Sequence, residues 1–184
     1  MTKAVWLALI LAAAAVGPAA SAPWFQHAYG EDRAYFRDWL AVCPDAPEPC
    51  RLVATRRDPG SSARFDARVA VIALPDGGHA VEIMERGADA AQVTTVAVEI
   101  DGVPVPLAPG DWQAGGLAVP GQSGDTLTVT APEAVARLVA AMRKGRVMSV
   151  TLEQPGLRRA SDYSLMGVTA GSDAIAARVS KGRS

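Results

Sequence analysis

The sequence holds little from which reactive chemistry is built. Of its 184 residues, two are cysteine and two are histidine. A zinc site takes four ligands and a Ser–His–acid triad takes a positioned imidazole, so His27 and His79 would have to serve. His27 lies in an irregular N-terminal stretch, and His79 follows a glycine turn, where an exposed polar residue is ordinary. Glycine motifs that cradle phosphate are also missing: Gly77-Gly78 and Gly115-Gly116 read as turns, not as loops opening a helix. No metal and no cofactor is expected. Nor is there an excess of either charge. Lys and Arg number 18 against 19 Asp and Glu, a net charge of −1, which argues against a dedicated nucleic-acid binder. Past the N-terminus, no apolar run approaches the roughly 20 residues that a membrane-spanning helix needs.

What is present begins with an export pattern. Lys3 forms a short positive region, Ala4 to Val16 is uninterrupted apolar sequence, and Gly17-Pro18 breaks it. Ala20-Ser21-Ala22 then places small residues at −3 and −1 of a cleavage site, completing the signature of a secretory signal peptide cut after Ala22. The rest divides into an N-terminal arm (23–34), one β-rich domain (35–179) and a disordered tail (180–184). Export to the periplasm or beyond agrees with the cysteines. Cys43 and Cys50 flank a loop stiffened by Pro44, Pro47 and Pro49, which cannot continue a strand ladder. Alternating segments on either side make a hairpin that sets the two thiols opposite each other. A structural disulfide is favoured over a redox pair, whose spacing is usually tighter, and over half a metal site.

The domain is expected to be mainly β: an antiparallel sandwich or barrel with one mid-chain helix and a short C-terminal one. Ala67–Leu74 and His79–Met84 flank the turn Pro75-Asp76-Gly77-Gly78, a hairpin signal. Val93–Ile100 leads to Asp101-Gly102 and then to Val103–Leu107, whose two prolines leave only an edge or irregular strand. Gln113–Val119, Thr126–Thr130 and Arg146–Glu153 read as further strands. Thr130-Ala131-Pro132-Glu133 resembles a capping box. Val135, Leu138, Val139 and Met142 make one apolar stripe, and Gly145 is expected as an αL cap. A second helix is expected from about Ala170 to Val179.

Phe36-Arg37-Asp38-Trp39-Leu40-Ala41-Val42-Cys43, followed by Cys50, resembles the opening of the invasion-associated locus B family of bacterial exported proteins. The run Ala136–Gly145 is similar to that family's single mid-chain helix, and Tyr163–Val168 to its Ser-Leu-x-Gly-aromatic strand before a terminal helix. Together they span about Tyr35 to Val179. The chain departs in having no second cysteine pair around Trp112–Leu117, and Val168 where an aromatic is common. The resemblance implies a sandwich-like domain in the periplasm or at the outer surface, linked to envelope function or host-cell invasion. It brings no catalytic residue with it.

The remaining functional candidates are basic: Arg56-Arg57, Arg143-Lys144 with Arg146, and Arg158-Arg159, which suit anionic glycans or phosphates. The expectation is a non-catalytic domain that binds an envelope protein, a glycan or a host-surface component. Its rivals are a glycan-acting hydrolase using carboxylates such as Asp38 or Glu82, and a structural protein of the envelope. Glu82 and Glu85, three apart on a strand, point to opposite faces. Trp39, in an alternating strand, is expected in the core.

Overall fold

The computed structural model describes residues 24–45, 48–117 and 124–181. The signal-peptide reading, the end of the tail and the end of the expected Gln113–Val119 strand lie outside them. Twelve strands and two helices follow in order: β1 (Phe25–Gln26), β2 (Asp32–Phe36), β3 (Trp39–Cys43), β4 (Arg51–Arg56), β5 (Ala67–Ala73), β6 (His79–Glu85), β7 (Thr95–Ile100), β8 (Val103–Val105), β9 (Trp112–Ala114), β10 (Thr126–Val129), α1 (Pro132–Met142), β11 (Val147–Gln154), β12 (Leu157–Ser164) and α2 (Val168–Lys181).

The strands form two antiparallel sheets. The larger runs β1-β2-β3-β4-β5-β6-β10-β9 and the smaller β12-β11-β7-β8. Both have open ends, so the fold is a sandwich and not a closed barrel. Alternation decides what lies between the layers. Trp39 and Ala41 (β3), Leu52 and Ala54 (β4), Val69 and Val71 (β5) and Val81 and Ile83 (β6) are buried in one core with Val96, Val98, Met148, Val150 and Tyr163 from the smaller sheet. β5 and β6 are buried on both faces, as central strands are, which is why their sequence reads as near-continuous Val, Ile and Ala. Helix α2 packs on β2, β3 and β4, and α1 on β6 and β8. Val135, Leu138 and Met142 of the expected stripe are buried.

Cys43 and Cys50 form the expected disulfide, one residue beyond the paired Val42 and Arg51. Trp39 is fully buried, and its indole Nε1 donates to the Ser164 carbonyl at 2.7 Å, tying β3 to the end of β12. The proline-bearing β8 is an edge strand, one of the two readings its prolines allow.

Several local expectations are corrected. The sheet already begins in the stretch assigned to an N-terminal arm: Phe25 pairs with Arg33, and β2 starts at Asp32. Thr130 does not cap α1. The cap residue is Ala131, with no side-chain bond, and the Asp111 carbonyl accepts from the Thr130 and Ala131 amides. Gly145 is not a left-handed cap either, since α1 ends at Arg143 in right-handed conformation. A Cβ at Gly145 would stand 2.2 Å from Ile100 Cγ2, so glycine is there for close approach. The last strand is Leu157–Ser164, not Tyr163–Val168: Pro155-Gly156 is a two-residue turn returning β11 onto β12. Helix α2 then starts at Val168 and includes Ser180 and Lys181, which had been placed in the tail.

Candidate functional site

Alternation also sorts the basic residues. Along β4, Leu52, Ala54 and Arg56 face inward; along β6, Val81, Ile83 and Glu85 do so. On β12 the inward set is Arg159, Ser161 and Tyr163, while Arg158, Ala160 and Asp162 face away. Arg56 and Glu85 both pair across to Ala67, so they lie in one row at the same end of the large sheet. Arg159 and Ser161 approach that row from the smaller sheet. The result is a cleft of about 240 Å³ at the mouth of the sandwich, lined by Arg56, Asp58, Asp66, Glu85, Arg86, Gly87 and Arg159.

Its charged groups are held to different degrees. Arg56 Nε donates to Ser161 Oγ at 3.2 Å and its Nη1 to Asp58 Oδ1 at 2.5 Å. Asp66 ties down the 57–66 loop, accepting from the Asp58 amide and the Ser61 hydroxyl, each at 2.9 Å, with Arg86 Nη1 at 3.8 Å. The Asp58 amide, more than any other contact, holds the Asp66 carboxyl below the usual carboxylate range. Arg159 is exposed and makes no ion pair among the described residues. Its guanidinium extends toward Gly87.

Glu85 is the unusual member. It is 2% exposed, and its Oε1 has no hydrogen-bond partner among the described residues. Burial pushes its carboxyl above the ordinary glutamate range, although the Ser161 hydroxyl and the Arg56 and Arg159 charges pull the other way. Behind it, the Tyr163 hydroxyl is buried and also raised, chiefly by burial and next by the Glu85 charge.

The candidate basic residues therefore do not form one patch. Arg56 and Arg159 are brought together. Arg57 and Arg158, their sequence neighbours, are exposed, and Arg158 pairs with Glu153 at 3.0 Å. Arg143, Lys144 and Arg146 stand after α1, where Arg143 pairs with Asp173 of α2 at 2.7 Å and the Arg146 amide donates to Asp101. Of the two carboxylates named for a hydrolase, Asp38 is exposed in the β2–β3 turn. Glu82 is buried three strands away, on the opposite face of β6 from Glu85, and accepts from Arg68 Nη2 at 3.3 Å and from the Leu117 amide. They do not converge. Glu85, Arg86 and Asp66 were not singled out as site residues. The signal for Glu85 was present: a carboxylate in an inward register after Val81 and Ile83.

A second depression is apolar. Around the β5–β6 turn, one pocket of about 180 Å³ lies against α2 and another of about 480 Å³ against α1; Leu74, Gly78 and His79 line both. No group of three or more His, Cys, Asp or Glu residues suited to a metal occurs among the described residues, and no helix among them is long and apolar enough to cross a membrane.

No protein-family model and no curated protein matches the chain. Among solved structures, the crystal structure of invasion associated protein B from Bartonella henselae matches with a TM-score of 0.57 and 14% identity, covering 79% of this chain and 96% of that one. At that identity the likeness is one of fold, and it agrees with the fold that the Phe36–Cys43 and Ala136–Gly145 motifs implied. The two-sheet architecture of this chain is thus similar to that of an invasion associated protein.

Proposed function

We propose that the protein is an exported, non-catalytic binding module that holds an anionic group of an envelope component or host surface in the cleft between its sheets. The observation that carries this reading is the meeting of Arg56, Arg86 and Arg159, from three separate elements, in one cleft where Asp58 and Asp66 engage the first two and Arg159 has no ion pair among the described residues. Guanidinium groups match carboxylate and phosphate geometry, and a recessed site strengthens each contact relative to open surface. Export is supported by the Ala4–Val16 run, the Ala20-Ser21-Ala22 site and the disulfide. The likeness in fold to a protein named for invasion agrees with an address outside the cytoplasm.

The test is surface-plasmon binding of the secreted chain to immobilised lipopolysaccharide, acidic polysaccharide and neutral polysaccharide over a range of salt. Anionic surfaces should bind, and binding should weaken with salt. Arg159→Gln should reduce it about tenfold, a typical loss for one charge-assisted contact. Equal binding to neutral polysaccharide, or indifference to Arg159→Gln, refutes the reading.

One observation favours a second reading, a glycan-acting hydrolase. Glu85 and Asp66 share a cleft, with one carboxyl raised and the other lowered, the pattern of an acid and its ionised partner. Against it, both Asp66 oxygens are already engaged by Asp58 and Ser61. Release of reducing ends from acidic polysaccharide, abolished by Glu85→Gln, would establish that reading instead.

A further inference from the structure

The cleft contains more than an anion site needs. Three guanidinium groups alone would hold a phosphate, yet the floor carries Glu85, whose carboxylate repels one. A buried polar atom without a partner destabilises a fold, and one that lines a cavity is placed to pair with an occupant. Glu85 Oε1 is such an atom, in a side chain 2% exposed that lines the cavity.

The occupant must satisfy both ends of the cleft at once. Arg159 at the rim, with no ion pair among the described residues, calls for an anion. Arg56 and Arg86 are already engaged by Asp58 and Asp66. Glu85 Oε1 at the floor calls for a hydrogen-bond donor. An ammonium would supply one, but at the rim it would meet Arg159, whose charge has no ion pair among the described residues. A hydroxyl supplies it without charge. At about 240 Å³ the cleft lies below the roughly 300–1,000 Å³ of ordinary ligand pockets, which suits one ring rather than a chain. Resting on the anion-binding reading of this cleft, we infer that it recognises a single carboxylated sugar residue of a polysaccharide, with the sugar carboxylate on Arg159 and a ring hydroxyl donating to Glu85 Oε1.

The experiment is calorimetric titration of the secreted, disulfide-bonded chain with trigalacturonate and with sialyllactose, the two sources of such a residue. Maltotriose, inorganic phosphate and alanine serve as controls, and amide shifts are followed at Gly87, which lines the cleft. At least one acidic sugar should bind and move the Gly87 signal. Glu85→Gln and Arg159→Gln should each weaken it about tenfold or more, with Arg158→Gln within twofold of the parent. Phosphate should bind more weakly than the acidic sugar in the parent, and Glu85→Gln, which removes a repelling charge, should strengthen its binding. Acidic-sugar binding lost in Arg159→Gln but unchanged in Glu85→Gln overturns the sugar assignment and leaves the anion reading standing. Binding of neither acidic sugar, with phosphate binding still dependent on Arg159, does the same. If no anion binds through Arg159, both readings fall. Circular dichroism of each variant separates loss of contact from loss of fold.

Discussion

Glu85→Gln should make the protein more stable, not less. In the native state Glu85 is buried with Oε1 unpaired, and leaving such an atom unsatisfied costs about 1–3 kcal/mol. Ser161, Arg56 and Arg159 offset part of that cost, yet the balance still raises the carboxyl above its ordinary range. A raised native value means the folded state holds its proton more tightly than the unfolded chain. The stability this contributes is complete below the unfolded value of 4.5 and is lost as pH rises through the native one. The glutamine variant keeps a polar group there but carries no charge, so it escapes the part of the penalty that comes from burying the carboxylate. Near pH 7.5 it should exceed the parent by about 1–2 kcal/mol, allowing for the offsetting contacts. In a domain of this size that is a gain of roughly 2–8 °C in Tm. Below pH 4.5 the gap should close. Asp66 has the opposite linkage, stabilising above its unfolded value of 3.8 and failing as pH falls through its lower native one. It is present in both proteins, so it cancels in the difference. Urea unfolding of both proteins at pH 4, 5.5 and 7.5, disulfide intact, measures the gap. A gap independent of pH, or a variant less stable at pH 7.5, refutes the account of Glu85 as a destabilising group retained for binding.

Three further outcomes test the scaffold. Replacing Cys43 and Cys50 with alanine opens a loop of eight residues and should cost about 2.5 kcal/mol on the chain-entropy estimate, read as a lower urea midpoint under oxidising conditions. Gly167→Ala should destabilise by at least about 1–3 kcal/mol, because Gly167 has φ +108° and a Cβ there would stand 1.9 Å from the Phe36 carbonyl oxygen; loss of soluble protein on expression is the simplest readout. Leu138→Ala, removing a fully buried side chain of α1, should cost about 2–5 kcal/mol in the same denaturation assay, and a cost below 1 would place α1 outside the core.

Much of the fold was legible because its signals are local. The Pro-Asp-Gly-Gly turn, the prolines that keep β8 out of a sheet's interior, the stripe along α1 and the Cys43–Cys50 hairpin each declare themselves within a dozen residues. Where reading failed, the signal was equally local but ambiguous. Thr130 precedes a proline and a glutamate as a cap would, yet the Asp111 carbonyl, from a distant loop, takes the amide instead. Gly145 looks like a cap because glycine serves two purposes, and only the neighbouring Ile100 shows that this one serves close packing. Leu157–Ser164 was missed because its outward positions include Arg158 and Asp162, so no apolar run marks it.

The site divides along the same line. Composition and register set which residue types could act: few histidines and cysteines, several arginines, and carboxylates at alternating registers. They also determine that neighbours such as Arg158 and Arg159 must face opposite ways if that stretch is a strand. Pairing with β11 makes it a strand, and sheet packing brings its inward face to those of β4 and β6 at one end of the sandwich. Arg56, Glu85 and Arg159 are separated by as many as 103 positions in the chain. What joins them is the packing of two sheets, which follows from burial summed over the whole core and is written in no single segment.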